Sequence, residues 1–267
     1  MKVNRKLIKY KQSQDYNYNL VKKDNYSFSI IIPTSSSRFS QLYDCLHYLN
    51  CVSGIQKCEI IIVIYENDYY EFNNDFDNIK LNIFRSKRNN NENKFCLSHA
   101  RNIGLIRAKY DWVLLLDCDI FVNKNLYNIL YPCMFKGDNI IYITNRINIK
   151  SNKNRSDIDI IKNDVVSINE DFTGFFQFYN RITLINRIGG YDERYLMWGR
   201  EDCDFIMRAG MAGIKIKKII CPVYHILHEY EKEWKDDKCD DINYKLQYQN
   251  LEERNIKMTN IGNIIDL

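Results

Sequence analysis

Asp117 and Asp119 close the segment Trp112-Val-Leu-Leu-Leu-Asp-Cys-Asp-Ile-Phe-Val122, and paired acids of this kind can hold a divalent cation. The apolar run Val113–Leu116 predicts a central parallel strand buried on both faces. In an open α/β sheet, the carboxyl end of such a strand is where ligands bind. Strand alternation puts Asp117 and Asp119 on one side. Two hard oxygen donors so placed suit a metal that itself carries phosphates. Asp-x-Asp alone is equally readable as a strand that ends in solvated acids.

Other segments extend the pattern. A strand over Phe28–Ile32 runs into Pro33-Thr-Ser-Ser-Ser-Arg38, and Leu42, Leu46 and Leu49 follow at helical spacing. Strand, polar turn and helix would offer backbone N–H groups and Arg38 to a diphosphate. The next strand, Glu59–Tyr65, ends in Glu66-Asn-Asp68, and Ser98-His-Ala-Arg-Asn-Ile-Gly104 opens a helix leading to the acidic strand. Residues 138–144 read as a further strand. Then come Gly189-Gly-Tyr-Asp-Glu193, Trp198-Gly-Arg-Glu-Asp-Cys-Asp204 and Cys221-Pro-Val-Tyr-His-Ile-Leu-His228. Residues 201–212 look helical. Glu201, Asp202 and Asp204 then favour the positive end of that helix, and Arg208 meets Asp204 across one turn as an ion-pair partner. His99 reads as a helix-start residue. The glycine pattern of a dinucleotide-binding oxidoreductase is absent.

In this order the motifs resemble nucleotide-sugar-dependent glycosyltransferases of the GT-A fold. Ile-Ile-Pro-Thr, Ala-Arg-Asn-x-Gly and Leu-Asp-x-Asp are similar to glycosyltransferase family 2. Gly-Gly-Tyr-Asp, Trp-Gly-x-Glu-Asp-x-Asp and the later histidines resemble the galactosyltransferase C-terminal module, found in β-1,4-galactosyltransferases, chondroitin polymerases and, in variant form, polypeptide N-acetylgalactosaminyltransferases. The resemblance spans roughly residues 27–230. It implies a single Rossmann-like α/β domain with a mixed, mostly parallel central sheet flanked by helices. It also implies a UDP-sugar donor, with Mn2+ or Mg2+ as cofactor. Asp119 would bind the metal, and Asp117 would face the ribose or the metal's waters. A histidine, His225 or His228, would complete the protein ligands; one branch of the family selects each. Asp202 would be the general base of an inverting displacement, and Glu201 would orient the acceptor or a neighbouring group. Pro33, Thr34, Arg38, Glu66 and Arg101 would line the nucleotide pocket, with Glu66 at the base; Arg101 is equally readable as structural. Gly174 aligns with a donor-sugar loop, whose second glycine is Phe175 here. Trp198 would stack on a sugar or pack in the core. Arg200 replaces a glycine of the pattern and fits an acidic or phosphorylated acceptor.

The chain of 267 residues suffices for one sizeable core. A net charge of +4, with acids interleaved among the bases, argues against a nucleic-acid partner. Nine scattered cysteines with no Cys-x-x-Cys pair indicate free thiols in a reducing compartment. Cys118 and Cys203 read as small packing residues. No stretch reaches the length of a membrane span, and no apolar signal core opens the chain, so the expectation is a cytoplasmic, unsecreted protein. Residues 1–26 form a basic arm, suited to an anionic membrane surface or to remaining a solvated tail. Residues 27–130 are the nucleotide-binding half, and 165–230 the acceptor half of one domain spanning 27–230. Asn145–Asp164 is read as a mobile loop, and 231–267 as a charged helical tail with Leu246, Leu251 and Ile256 packing back. The partners implied are a nucleotide-sugar donor and a glycan, lipid-linked glycan or protein acceptor. A non-catalytic sugar- or nucleotide-binding module of the same fold and a nucleotidyltransferase are the competing classes.

Overall fold

The computed structural model describes residues 27–65, 76–86, 96–150, 165–169, 174–197, 199–227 and 237–258. In chain order the elements begin with β1 (Phe28–Ser35), a 3-10 turn at Ser36–Arg38, α1 (Phe39–Asn50), β2 (Glu59–Tyr65) and β3 (Leu81–Ser86). Next come α2 (Leu97–Arg107), β4 (Trp112–Leu116), β5 (Ile120–Phe121), α3 (Leu126–Leu130), β6 (Ile140–Ile143), β7 (Arg146–Ile149) and β8 (Val165–Asn169). The last are β9 (Phe176–Asn180), α4 (Arg181–Ile188), α5 (Glu201–Met211), β10 (Lys215–Lys218), β11 (Val223–Ile226) and α6 (Asp237–Glu252).

The main sheet has seven strands in the order β10-β6-β9-β4-β1-β2-β3. Its inner strands β1, β2, β4, β6 and β9 are buried on both faces, and their alternation divides the core in two. Ile30, Ile32, Leu114 and Leu116 join one apolar layer, with Leu42, Leu46 and Leu49 of α1. Ile31, Val113 and Leu115 join the other, with Ala100, Ile103 and Leu105 of α2 and Phe205 and Ala209 of α5. Gly104 lets α2 lie close on β1, since a Cβ there would collide with Ile31. β1 pairs in parallel with β2 on one side and β4 on the other. The chain order therefore reverses between β1 and β4, and the crevice beyond their carboxyl ends is the usual ligand position of such a sheet.

Several expectations need correcting. β1 runs past Ile32 to Ser35, because pairing with β2 continues to Ser35↔Tyr65 after pairing with β4 stops at Ile31↔Leu115. Pro33 thus lies beyond the last β4 partner, where its missing N–H costs no bond on that side. β4 is not wholly parallel in its pairing, since β9 runs antiparallel beside it. It also ends at Leu116, so Asp117 and Asp119 lie in the turn that follows. There Ile120 N–H donates to Asp117 O at 3.2 Å, and side-chain alternation no longer applies. Within the expected loop Asn145–Asp164, Arg146–Ile149 is the strand β7, in a second sheet of order β5-β11-β7-β8; residues 151–164 lie outside the described residues. The expected strand at 138–144 is β6. No described helix is long and apolar enough to cross a membrane, and the basic arm lies outside the described residues.

The tail does pack back, through α6 on α5, but on a different stripe. Leu251 is exposed and Leu246 half-buried, while Cys239, Asn243 and Asn250 are buried. The helix binds by amide hydrogen bonds instead of a leucine seam. Of the expected apolar set, Ile256 does pack against the core, on the α5 side.

Candidate functional site

The site begins at the carboxyl ends of β1 and β4. Beyond β1, the 3-10 turn brings Arg38 back over the sheet edge, where its Nη1 lies 3.4 Å from Asp119 Oδ2. Thr34 and Pro33 are buried at the strand end. Beyond β4, Asp117 N–H donates to Phe175 O at 3.2 Å, tying the acidic turn to the segment before β9.

Asp119 faces the second sheet. His225 of β11 holds its Nε2 3.5 Å from Asp119 Oδ2, and its Nδ1 lies 3.2 Å from Asn148 Oδ1 on β7. Asn148 Nδ2 donates to Ser167 Oγ at 2.9 Å, which turns Oδ1 toward the ring. His225 Nε2 then faces a carboxylate oxygen, an arrangement that a shared cation would satisfy. Among the described residues no three His, Cys, Asp or Glu side chains gather as ligands. Two donors fit an ion that takes the rest of its shell from phosphate oxygens and water. Asp119 and His225 could hold such an ion; His228 lies outside the described residues.

Asp117 faces the other way. Arg101 of α2, 2% exposed, donates from Nη2 to Asp117 Oδ1 at 3.2 Å and to Gly174 O at 3.2 Å. Its Nη1 donates to Glu201 Oε1 at 2.9 Å, and its guanidinium lies over the Tyr191 ring at 5.1 Å. The guanidinium is thus engaged by two acids and a carbonyl inside the fold. One cation joins acids 84 positions apart in sequence. Glu201 is buried, and its Oε2 has no hydrogen-bond partner among the described residues. Burial and the neighbouring Asp202 push its carboxyl up, against the pull of Arg101. Burial likewise raises Asp117, with Arg101 opposing and Asp119 adding to the shift.

Asp202 lies one residue on, in the first turn of α5. Its Oδ1 accepts from Cys203 N–H at 2.8 Å, and its Oδ2 lies against Gly174, where any Cβ would collide with it. Glycine at 174 therefore gives Asp202 its place beside the acidic turn. Phe175, in place of the second glycine, is buried beneath the Arg146 guanidinium at 5.3 Å. Arg200 turns aside: its guanidinium lies 4.5 Å from the Tyr244 ring centre, 3.4 Å from Gln247 Oε1 and 3.7 Å from Asp240 Oδ1, all on α6. Those partners occupy the cation that was expected to face an acidic acceptor. Arg208 and Asp204 form the expected i, i+4 pair at 2.6 Å, fully buried. His99, read only as a helix-start residue, lies 2.9 Å from Glu193 Oε2. Glu66 and Trp198 lie outside the described residues.

Sequence reading missed Asn148, Tyr191, Asn243 and Asn250. Tyr191 lies within the Gly-Gly-Tyr-Asp motif but was given no role there, and no local pattern marks the asparagines, because each acts on a residue dozens of positions away.

A family model described as glycosyl transferase family 2 matches residues 29–192. A second, described as the N-terminal domain of galactosyltransferase, matches residues 167–232. No curated protein sequence matches. Among solved structures the chain is similar to GalNAc-T7 with UDP, GalNAc and Mn2+, at 16% identity and a TM-score of 0.63, over 90% of this chain and 52% of that one. It is similar to the catalytic domain of Drosophila beta1,4-galactosyltransferase 7 in complex with xylobiose, at 16% identity and a TM-score of 0.50, over 82% and 79% of the two chains. It is also similar to S. aureus TarS, at 14% identity and a TM-score of 0.56, over 85% and 40%. The chain spans about half the length of the GalNAc-T7 structure. At these identities the likeness is one of fold, and the fold is GT-A.

Proposed function

Because the chain belongs to glycosyl transferase family 2 and is a glycosyltransferase of the GT-A fold, we propose that its donor is a UDP-sugar. It moves a hexose or N-acetylhexosamine to a hydroxyl of a glycan, lipid-linked glycan or protein, with Mn2+ or Mg2+ and with inversion at the anomeric carbon. The observation that carries this reading is the meeting of Asp117 and Glu201 on Arg101, with Asp202 beside them against Gly174. In this reading the acidic turn serves the nucleotide diphosphate and the carboxylate next to it serves the acceptor. The solved structures of GalNAc-T7 with UDP and Mn2+, and of the Drosophila enzyme with manganese and UDP-Gal, support the donor and the metal.

Asp119 and His225 are the described residues that would hold the ion, and His228 is a further candidate. When bound, the ion supplies positive charge to the departing diphosphate. Arg38, beside Asp119, adds a second cation on the same side. Arg101 lies between Asp117 and Glu201 and offsets their charge, and it pins the start of α5 to the turn after β4. Asp202 takes the proton from the acceptor hydroxyl as its oxygen attacks. A single displacement with the base on the acceptor side inverts the anomeric carbon. Glu201 serves by holding Arg101, and its buried Oε2 keeps a proton or receives an acceptor hydroxyl. The free cysteines fit a reducing, cytoplasmic setting.

The test is release of UDP from a panel of UDP-sugars, each with Mn2+ and with a chelator. One donor should be consumed, and only with metal. Release unaffected by chelation would remove the ion from the mechanism. UDP binding without release from any sugar would turn the reading to a non-catalytic module.

A further inference from the structure

The backbone just before α5 is strained. Met197 and Arg200 take positive φ angles of 58° and 75°, and Gly199 between them takes 115°. Side chains resist the left-handed region, so such residues persist only where their surroundings impose it, often at functional sites. Two holds act here. On one side, Met197 makes a parallel bridge with Cys96, just ahead of α2, and the Cys96 thiol lies 3.3 Å from Tyr195 O. On the other side is Asn243 of α6, fully buried. Its Oδ1 accepts from Leu196 N–H at 3.2 Å, and its Nδ2 donates to Leu196 O at 2.8 Å and to Gly199 O at 3.2 Å. One amide therefore satisfies three backbone groups of the turn. Arg200, the last residue before Glu201 and Asp202, is clasped by Tyr244, next to Asn243, and by Asp240 and Gln247, one turn to either side of it.

We propose that Asn243 is a positioning residue for sugar transfer: through it, α6 sets the strained backbone of Met197, Gly199 and Arg200 and thereby aims Asp202. This rests on the reading of Asp202 as the base. A residue that only anchored α6 would serve as well with an apolar side chain. Asn243 instead spends its hydrogen bonds on the backbone of one turn, which fixes a conformation. α6 also lies beyond the residues matched by either family model, which end at 192 and 232.

Asn243→Ala, Asn243→Asp and the exposed-face control Lys245→Ala should be compared in the full chain. The readouts are UDP affinity with Mn2+ by calorimetry, UDP release at saturating donor, and amide hydrogen exchange over residues 195–205. Asn243→Ala should slow release by about 10- to 100-fold, the usual effect of misplacing a reacting group, while UDP affinity stays at the wild-type value. Exchange at Leu196 through Asp204 should quicken. Asn243→Asp keeps Oδ1 but sets a carboxylate against two carbonyls, and should lose as much. Lys245→Ala should change nothing. Unchanged exchange in both Asn243 variants would overturn the clamp. UDP affinity falling in parallel with release would overturn the positioning role in favour of general damage. A wild-type chain that releases UDP from no sugar would overturn the reading of Asp202, and the positioning role with it, whatever the exchange shows.

Discussion

Asp202 and Glu201 are adjacent in sequence and differ in surroundings. Glu201 is enclosed and spent on Arg101, whereas Asp202 is half-buried beside Gly174. Asp202→Asn keeps the shape but cannot take a proton. Transfer should fall by roughly 10²–10⁴-fold, with UDP affinity unchanged, as measured by UDP release and calorimetry. Glu201 makes a separate prediction. Its folded pKa is raised by burial above the unfolded value near about 4.3, so the folded state holds the extra proton. Stability is then lost as pH rises through that window. Glu201→Gln cannot ionise and escapes this loss. The melting temperature of Glu201→Gln relative to wild type should climb between pH 5 and pH 8, and a constant difference would refute the shift.

At the scale of elements, the junction of α4, α5 and α6 is built from buried polar groups. Asn250 Nδ2 donates to Asp192 Oδ2 at 3.0 Å and to Asp204 Oδ1 at 2.9 Å, while its Oδ1 accepts from Arg194 at 2.6 Å. Arg208 pairs with Asp204 and donates to Ile188 O and Gly190 O at the end of α4. The Gly-Gly-Tyr-Asp motif thus binds α5 and α6 together. Asp192 is buried, which alone would raise its pKa, but hydrogen bonds from Arg194 and Asn250 outweigh burial and lower it. Its contribution is therefore present above the unfolded value of about 3.9 and is lost as pH falls through the lower folded value. Acid unfolding followed by circular dichroism should show Asp192→Asn with a flatter limb below about pH 4. Asn250→Ala, which removes one donor from each of two buried carboxylates, should cost about 1–3 kcal/mol at neutral pH.

For the whole molecule, the family matches stop before α6, yet α6 supplies Asn243 to the turn before α5 and Asn250 to Asp204 within it. The folding unit therefore reaches past the matched residues. A chain ending at residue 232 should melt at lower temperature, and limited proteolysis should cut it around residues 195–212, where the full chain resists. Equal melting would show that α6 is dispensable to the fold.

Strand and helix periodicity, with motif order, made the α/β sheet, β4 and the two acidic motifs legible without coordinates, because those signals are local. The same holds for Arg208 and Asp204, which meet across a single helical turn. The sequence could not place Arg101 between Asp117 and Glu201, since that contact depends on how α2 and α5 pack on β4. Nor could it show Asn148 orienting His225 toward Asp119, which needs two strands side by side in the second sheet. Arg200 looked like a cation for the acceptor until α6 was seen to occupy it. In α6 itself the leucines suggested a buried seam, and the asparagines bury instead, because the backbone and carboxylates they meet need donors. Composition and spacing report what a segment can do alone; which donor meets which acceptor is decided by packing between elements far apart in the chain.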